Sequence, residues 1–175
     1  KPGSRTYIFT VLGKFSQYKV QLASKTDGRH EQDFVCDTEF FRNMENDDVA
    51  DADIKVHLDL EKKNDAYVLV FTCKGMMHIP CDRCLDPMEH PVDTTYRLTV
   101  RYGERYDESD DVLIIPHSDT YLNVAYMLHD TVMLTVPLRH VHPAGQCNRA
   151  MSAVLSRHNA EALDDEDEGF GEETD

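Results

Sequence analysis

Two cysteines three positions apart offer the clearest chemistry in the chain, in the run Cys81-Asp82-Arg83-Cys84-Leu85-Asp86-Pro87. Thiolates at this spacing can grip one metal ion as a knuckle, and zinc then wants four tetrahedral ligands at a Zn–S distance of about 2.3 Å. Two more donors must come from elsewhere. Cys147 is the candidate third, with His142 or His140 from the same downstream loop as candidate fourth. Plain core packing is the competing account, because cysteine is among the most buried residue types. A redox dithiol would need its first cysteine at a helix N-terminus, where the dipole lowers its pKa. Pro87 disfavours helical geometry at Asp86, which speaks against that use. Cys36 and Cys73 read as core filler, Cys73 being in phase with Tyr67, Leu69 and Phe71. Five cysteines make an odd set, which argues against a disulfide framework and for a reducing compartment.

Nothing else resembles a reaction centre. There is no nucleophile elbow, no phosphate loop and no His-Glu-x-x-His helix, and no polar set pairs a nucleophile with a base. Asp107, Glu108, Asp110 and Asp111 lack the glycine and terminal Glu of a calcium loop, so they read as a solvated acidic segment. A non-enzymatic role is expected. Lys74, Arg83, Arg97, Arg101, Arg139 and Arg149 are the candidate contact residues for RNA or another partner, expected to lie near the knuckle and to meet phosphates in a salt-dependent way. Arg97 and Arg101 fit equally the wet face of an antiparallel strand. Tyr96 and Tyr102 are in phase with the apolar face and read as core rather than as stacking platforms.

The elements that would position these residues are mostly strands. Ile54, Val56, Leu58 and Leu60 alternate with Lys55, His57, Asp59 and Glu61, a period of two that buries one face and wets the other. Strands are also expected around Tyr18, Val20 and Leu22, over 30–36, 67–73, 77–80 and 92–102, and over 112–115. Asp27-Gly28 signals a turn, and Lys74-Gly75 is read as another. Asp37 or Thr38 can cap a short helix over 39–44, with a loop over 45–53. Asn123 can cap a helix over 124–136 that Pro137 stops, and a second helix is expected over 147–158. The expected fold is α+β: an antiparallel meander or small open barrel with two or three short helices. A strand and helix segment over 1–53 and a core over 54–158 would share one domain, followed by a disordered acidic tail over 159–175.

Net charge is −15, from 33 acidic and 18 basic residues. Nine of the acidic residues fall within 161–175, which leaves −6 for residues 1–160 and room for a local basic face. No run approaches the roughly 18 apolar residues needed to cross a bilayer. The N-terminus has no secretory cleavage site, so a cytoplasmic protein is expected.

The run Cys81-Asp82-Arg83-Cys84-Leu85-Asp86-Pro87 resembles the Cys-x-Arg-Cys-Leu-x-Pro element of the YceD family, the large ribosomal RNA subunit accumulation proteins. Asn123-Val124, Asp130, Leu134 and Pro137 are similar to that family's Asp-Leu…Glu…Leu…Pro helix, and the resemblance extends over roughly residues 20–150. It implies a cytoplasmic role in the processing or accumulation of 23S rRNA, with rRNA or large-subunit ribosomal proteins as partners, and metal binding and nucleic-acid binding as properties of the family. Many members carry a second cysteine pair after the helix. This chain departs there, with Cys147 alone following His140 and His142. The length and acidity of its tail resemble the versions found in Bacteroidetes. An alternative class is an acidic adaptor whose tail holds a basic ribosomal protein without touching RNA.

Overall fold

The computed structural model describes residues 13–109 and 111–164. Its centre is the alternating segment read from the sequence. β1 (Lys19–Gln21) is short, and β2 (Gly28–Asp37) runs antiparallel to β3 (Asp51–Lys63), which pairs with β4 (Ala66–Pro80). β4 in turn pairs with β5 (Pro87–Gly103), which completes an antiparallel meander. β6 (Asp107–Ser109) and β7 (Val112–Pro116) extend the sheet to the order β2-β3-β4-β5-β7-β6, with β5 and β7 parallel. β8 (Tyr121–Asn123) returns to pair with β1 in a separate two-stranded sheet. The architecture is α+β with an open six-stranded sheet.

The registers explain why one face is dry. Phe34 lies opposite Val56, Leu58 opposite Phe71, and Phe71 opposite Tyr96, so each strand sends its apolar residues to the same side. Phe40 and Phe41 cover that side from α1 (Thr38–Asn43), whose N-terminus is capped by Asp37 Oδ1 accepting from the Phe40 N–H at 2.9 Å. Leu128 and Val132 cover it from α2 (Ala125–Met133), and Asn123 Oδ1 accepts from the Ala125 N–H at that helix's start. Tyr18 seals one edge, donating its hydroxyl to the Val35 carbonyl at 2.7 Å, and burial holds its pKa up at about 12. Cys36 and Cys73 are buried in this core, and burial pushes both thiols up, Cys73 to about 11. That placement fits the filler role expected of them. Tyr96 and Tyr102 pack against the core from the same face.

Several elements differ from expectation. Lys74-Gly75 is no turn: β4 runs through it without a break. Gly75 lies opposite Ile54, and a Cβ there would meet the Asp53 carbonyl oxygen and lie 2.6 Å from Ile54 Cα. The glycine serves a close approach of two backbones, not a reversal. β5 starts at Pro87 rather than residue 92, so β4 and β5 form one hairpin of about 50 Å at roughly 3.4 Å per residue. α3 (Arg149–Asp164) starts later and runs further than the helix expected over 147–158, continuing into the segment read as tail. The acidic run beyond Asp164 lies outside the described residues. No described helix is long and apolar enough to cross a membrane.

Candidate metal centre

The Cys81–Asp86 segment is the loop at the end of the long hairpin, because Pro80 pairs with Pro87 and Ile79 with Met88. The Cys81 N–H donates to the Asp86 carbonyl and the Leu85 N–H to the Cys81 carbonyl, both at 2.9 Å. Leu85 takes a left-handed backbone (φ 63°) with its side chain in solvent. For a non-glycine residue that conformation costs roughly 1–2 kcal/mol, and here it turns the chain from Cys84 back into β5. Cys81 and Cys84 remain on the inside, both buried.

The loop after α2 docks onto this tip. The Asp82 N–H donates to the His140 carbonyl at 2.9 Å, and Asp82 Oδ2 accepts from the His140 N–H at 2.7 Å. Asp82 Oδ1 also lies 3.4 Å from His140 Nε2. This staple brings His142 and Cys147 to the two knuckle cysteines, so the four candidate donor atoms lie within 4.8 Å of one another. His142 takes the fourth position that the sequence left open between two histidines; His140 is held by Asp82 and the Pro137 carbonyl instead. Asp82, with no role assigned to it from the sequence, is the residue that docks the two segments.

The spacing of the donors is close to what a tetrahedral ion requires. Zn–S bonds of about 2.3 Å place two sulfurs about 3.8 Å apart, and a sulfur and an imidazole nitrogen about 3.6 Å apart. Cys81 Sγ and Cys147 Sγ are 4.0 Å apart, and Cys84 Sγ is 3.4 Å from His142 Nδ1. His142 Nε2 lies 3.3 Å from the Pro87 carbonyl, where a proton on that nitrogen finds an acceptor and Nδ1 is left to face the sulfurs. The set of three thiols and one imidazole could hold a metal ion, and its chemistry suits zinc.

Electrostatics favour negative charge at the tip. Burial alone would raise the Cys81 thiol, but backbone N–H groups of His142, Arg83 and Cys84 outweigh it and bring Cys81 down to about 6. Hydrogen bonding to Cys81, then to Cys84, raises the pKa of His142. Cys147 is raised by burial and by sharing hydrogen bonds with the other two sulfurs. Arg83 Nη1 lies 4.0 Å from Cys147 Sγ and brings positive charge beside the thiols.

Of the candidate contact residues, Arg83, Arg139 and Arg149 gather around the tip. Arg83 sits inside the knuckle, Arg139 precedes the docked His140, and Arg149 opens α3 just after Cys147; all three are exposed. Arg97 and Arg101 do not gather there. They lie opposite Val70 and Ala66, far down the hairpin on the open face of the sheet. Lys74 is on that open face too, with Asp93 at 3.7 Å. The expectation that all six cluster near the knuckle is therefore corrected: consecutive wet positions on a long straight strand are spread along it, not collected.

The model of the family described as large ribosomal RNA subunit accumulation protein YceD matches residues 69–173, well over half of the chain. The chain belongs to the YceD family. The match opens in β4 and takes in the knuckle, the docked loop and α3, leaving β1 to β3 outside it. The family description ties its members to the accumulation of large-subunit ribosomal RNA. Among curated proteins and solved structures nothing matches the chain.

Proposed function

We propose that the chain is a non-catalytic assembly factor of the cytoplasm that supports 23S rRNA processing or accumulation through contacts made by the metal-held hairpin tip. The observation that carries this is the convergence of Cys81, Cys84, His142 and Cys147 at the end of a long hairpin, with Arg83, Arg139 and Arg149 exposed around them. Zinc, bound by those four side chains, would supply structure only: it ties the hairpin loop to the segment that leads into α3. Three thiolates around a divalent ion leave one net negative charge, which Arg83 offsets from beside Cys147. The remaining guanidinium surface is free to meet phosphates, as a fork suited to paired oxygens. Arg97, Arg101 and Lys74 would act as a separate, weaker contact on the open face.

Filter binding to 23S rRNA fragments across a salt series tests this reading. Replacing Arg83, Arg139 and Arg149 with Glu should weaken binding and flatten the salt slope by roughly 0.7–0.9 per lost phosphate contact. Affinity that ignores both salt and the triple replacement sinks it. A second reading follows from the nine acidic residues of 161–175, which suit a basic ribosomal protein. Deleting 161–175 and repeating a pull-down distinguishes the two: loss of ribosomal proteins with rRNA binding intact assigns the tail its own partner.

A further inference from the structure

The open face of the sheet carries a second group of metal-ligand side chains, far in sequence from the cysteines. Glu31 on β2 lies directly opposite Asp59 on β3, and Asp33 lies directly opposite His57. A ring nitrogen of His57 and one carboxylate oxygen each from Glu31 and Asp59 lie within 4.8 Å of one another. Asp33 Oδ1 sits 2.6 Å from His57 Nδ1 and fixes the ring, while Nε2 faces Asp59 Oδ2 at 3.9 Å. A carboxylate that orients a histidine through one nitrogen and leaves the other for an ion is a recurring arrangement at metal centres. Arg29 approaches the other oxygen of Asp59, at 4.0 Å, and leaves Oδ2 to the histidine side.

Two carboxylates placed directly opposite each other on paired strands repel. Arg29 and His57, whose pKa the Asp33 hydrogen bond raises, offset part of that charge, and a divalent ion would displace the His57 proton and offset more. The strands on either side are fixed by the sheet, so only side-chain torsions need adjust for the three donors to close on one ion. We propose that Glu31, His57 and Asp59 form a second cation site, taking a hydrated divalent first-row transition-metal ion of the manganese-to-zinc series. One imidazole and two carboxylates are harder donors than the thiolates of the tip. Water fills the remaining positions, because the site is open to solvent. Asp33 is a positioning residue that acts through His57.

Mn²⁺ separates the two centres, since it prefers oxygen and nitrogen donors to thiolates. The full chain is titrated with Mn²⁺, bound ion being read by loss of the free-ion paramagnetic resonance signal. One Mn²⁺ per chain should bind in the wild type and in Cys84→Ser. His57→Ala should weaken that binding at least tenfold, and Asp33→Asn by about tenfold, the range seen when a supporting carboxylate is lost. Mn²⁺ should broaden the amide resonances of 30–33 and 57–59 before any others. The proposal is overturned if Mn²⁺ does not bind. It is equally overturned if His57→Ala binds as the wild type does, which would assign the ion to acidic residues elsewhere, such as those of 161–175. His57 is half-exposed, so its removal leaves the core untouched, and circular dichroism checks that the variant is folded.

Discussion

The sheet core buries Leu58, Leu69 and Phe71 with Phe40, Leu128 and Val132 in one continuous cluster, whereas the hairpin tip buries Cys81, Cys84 and Cys147 beside Met88, Val141 and Met151, which are only partly covered. Fully burying a large apolar side chain contributes roughly 1.5–3 kcal/mol, so the first region has ample stabilisation of its own. The second has three small thiols and one left-handed turn, too little apolar area to fix a loop against a returning segment. Its order has to come from polar links: the Asp82 staple, N–H groups aimed at Cys81, and an ion if one is bound. The sheet is thus a scaffold that tolerates loss of the tip, and the tip is a site that depends on its donors.

The largest effect should come from the donors themselves. Chelation, or Cys84→Ser, should abolish the zinc held by the tip donors, a contribution of order 10–16 kcal/mol for structural sites, yet loosen only the tip. Hydrogen exchange should rise across 81–86 and 138–150 while β3 and β4 stay protected; a global loss of protection would break the division. Phe71→Ala tests the other side. It removes a ring with no exposed surface, at about 3–5 kcal/mol in denaturant unfolding, and should leave metal content per folded chain unchanged.

Asp82→Ala should have an intermediate effect. It deletes a charge-assisted hydrogen bond worth about 1.5–3 kcal/mol and should lower metal affinity by 10–100-fold without shifting the sheet's unfolding midpoint. Acidification gives the mildest comparison. In the metal-free protein the Cys81 pKa is brought down from 9.0 to about 6, so its contribution is full above 9.0 and is lost as pH drops through about 6, while His142, whose pKa is raised, offsets part of that loss. The tip should therefore loosen near pH 6 under conditions where the amides of β3 and β4 remain protected. If both regions loosened together, the two would be one cooperative unit.

What could be read from the sequence divides along the same line. Strand alternation at Ile54, Val56, Leu58 and Leu60 is a local signal, and so is the cap at Asp37, and both appear in the structure. α2 starts one residue later than expected, with Val124 at its N-cap, though Asn123 still accepts from the Ala125 N–H. The three thiol donors were legible because a cysteine pair at this spacing restricts what a further cysteine can do with it. Choosing His142 over His140 was not legible, since it depends on Asp82 capturing the latter. Gly75 misled because a glycine that permits a turn also permits two backbones to touch, and only the register shows which. The spread of Arg97 and Arg101 away from the tip, and the parallel pairing of β5 with β7, are likewise facts of register that no single strand encodes.

The chain order of the donors has a consequence for biosynthesis. Cys81 and Cys147 are separated by 66 positions, with β5 to β8 and α2 between them. During translation the long hairpin can pair as soon as Gly103 has left the exit tunnel, but its loop stays open until Cys147 follows. Closure of the thiol cluster therefore has to wait for the whole segment between the donors, and a chain arrested after β7 would carry the scaffold without the end that is proposed to touch RNA.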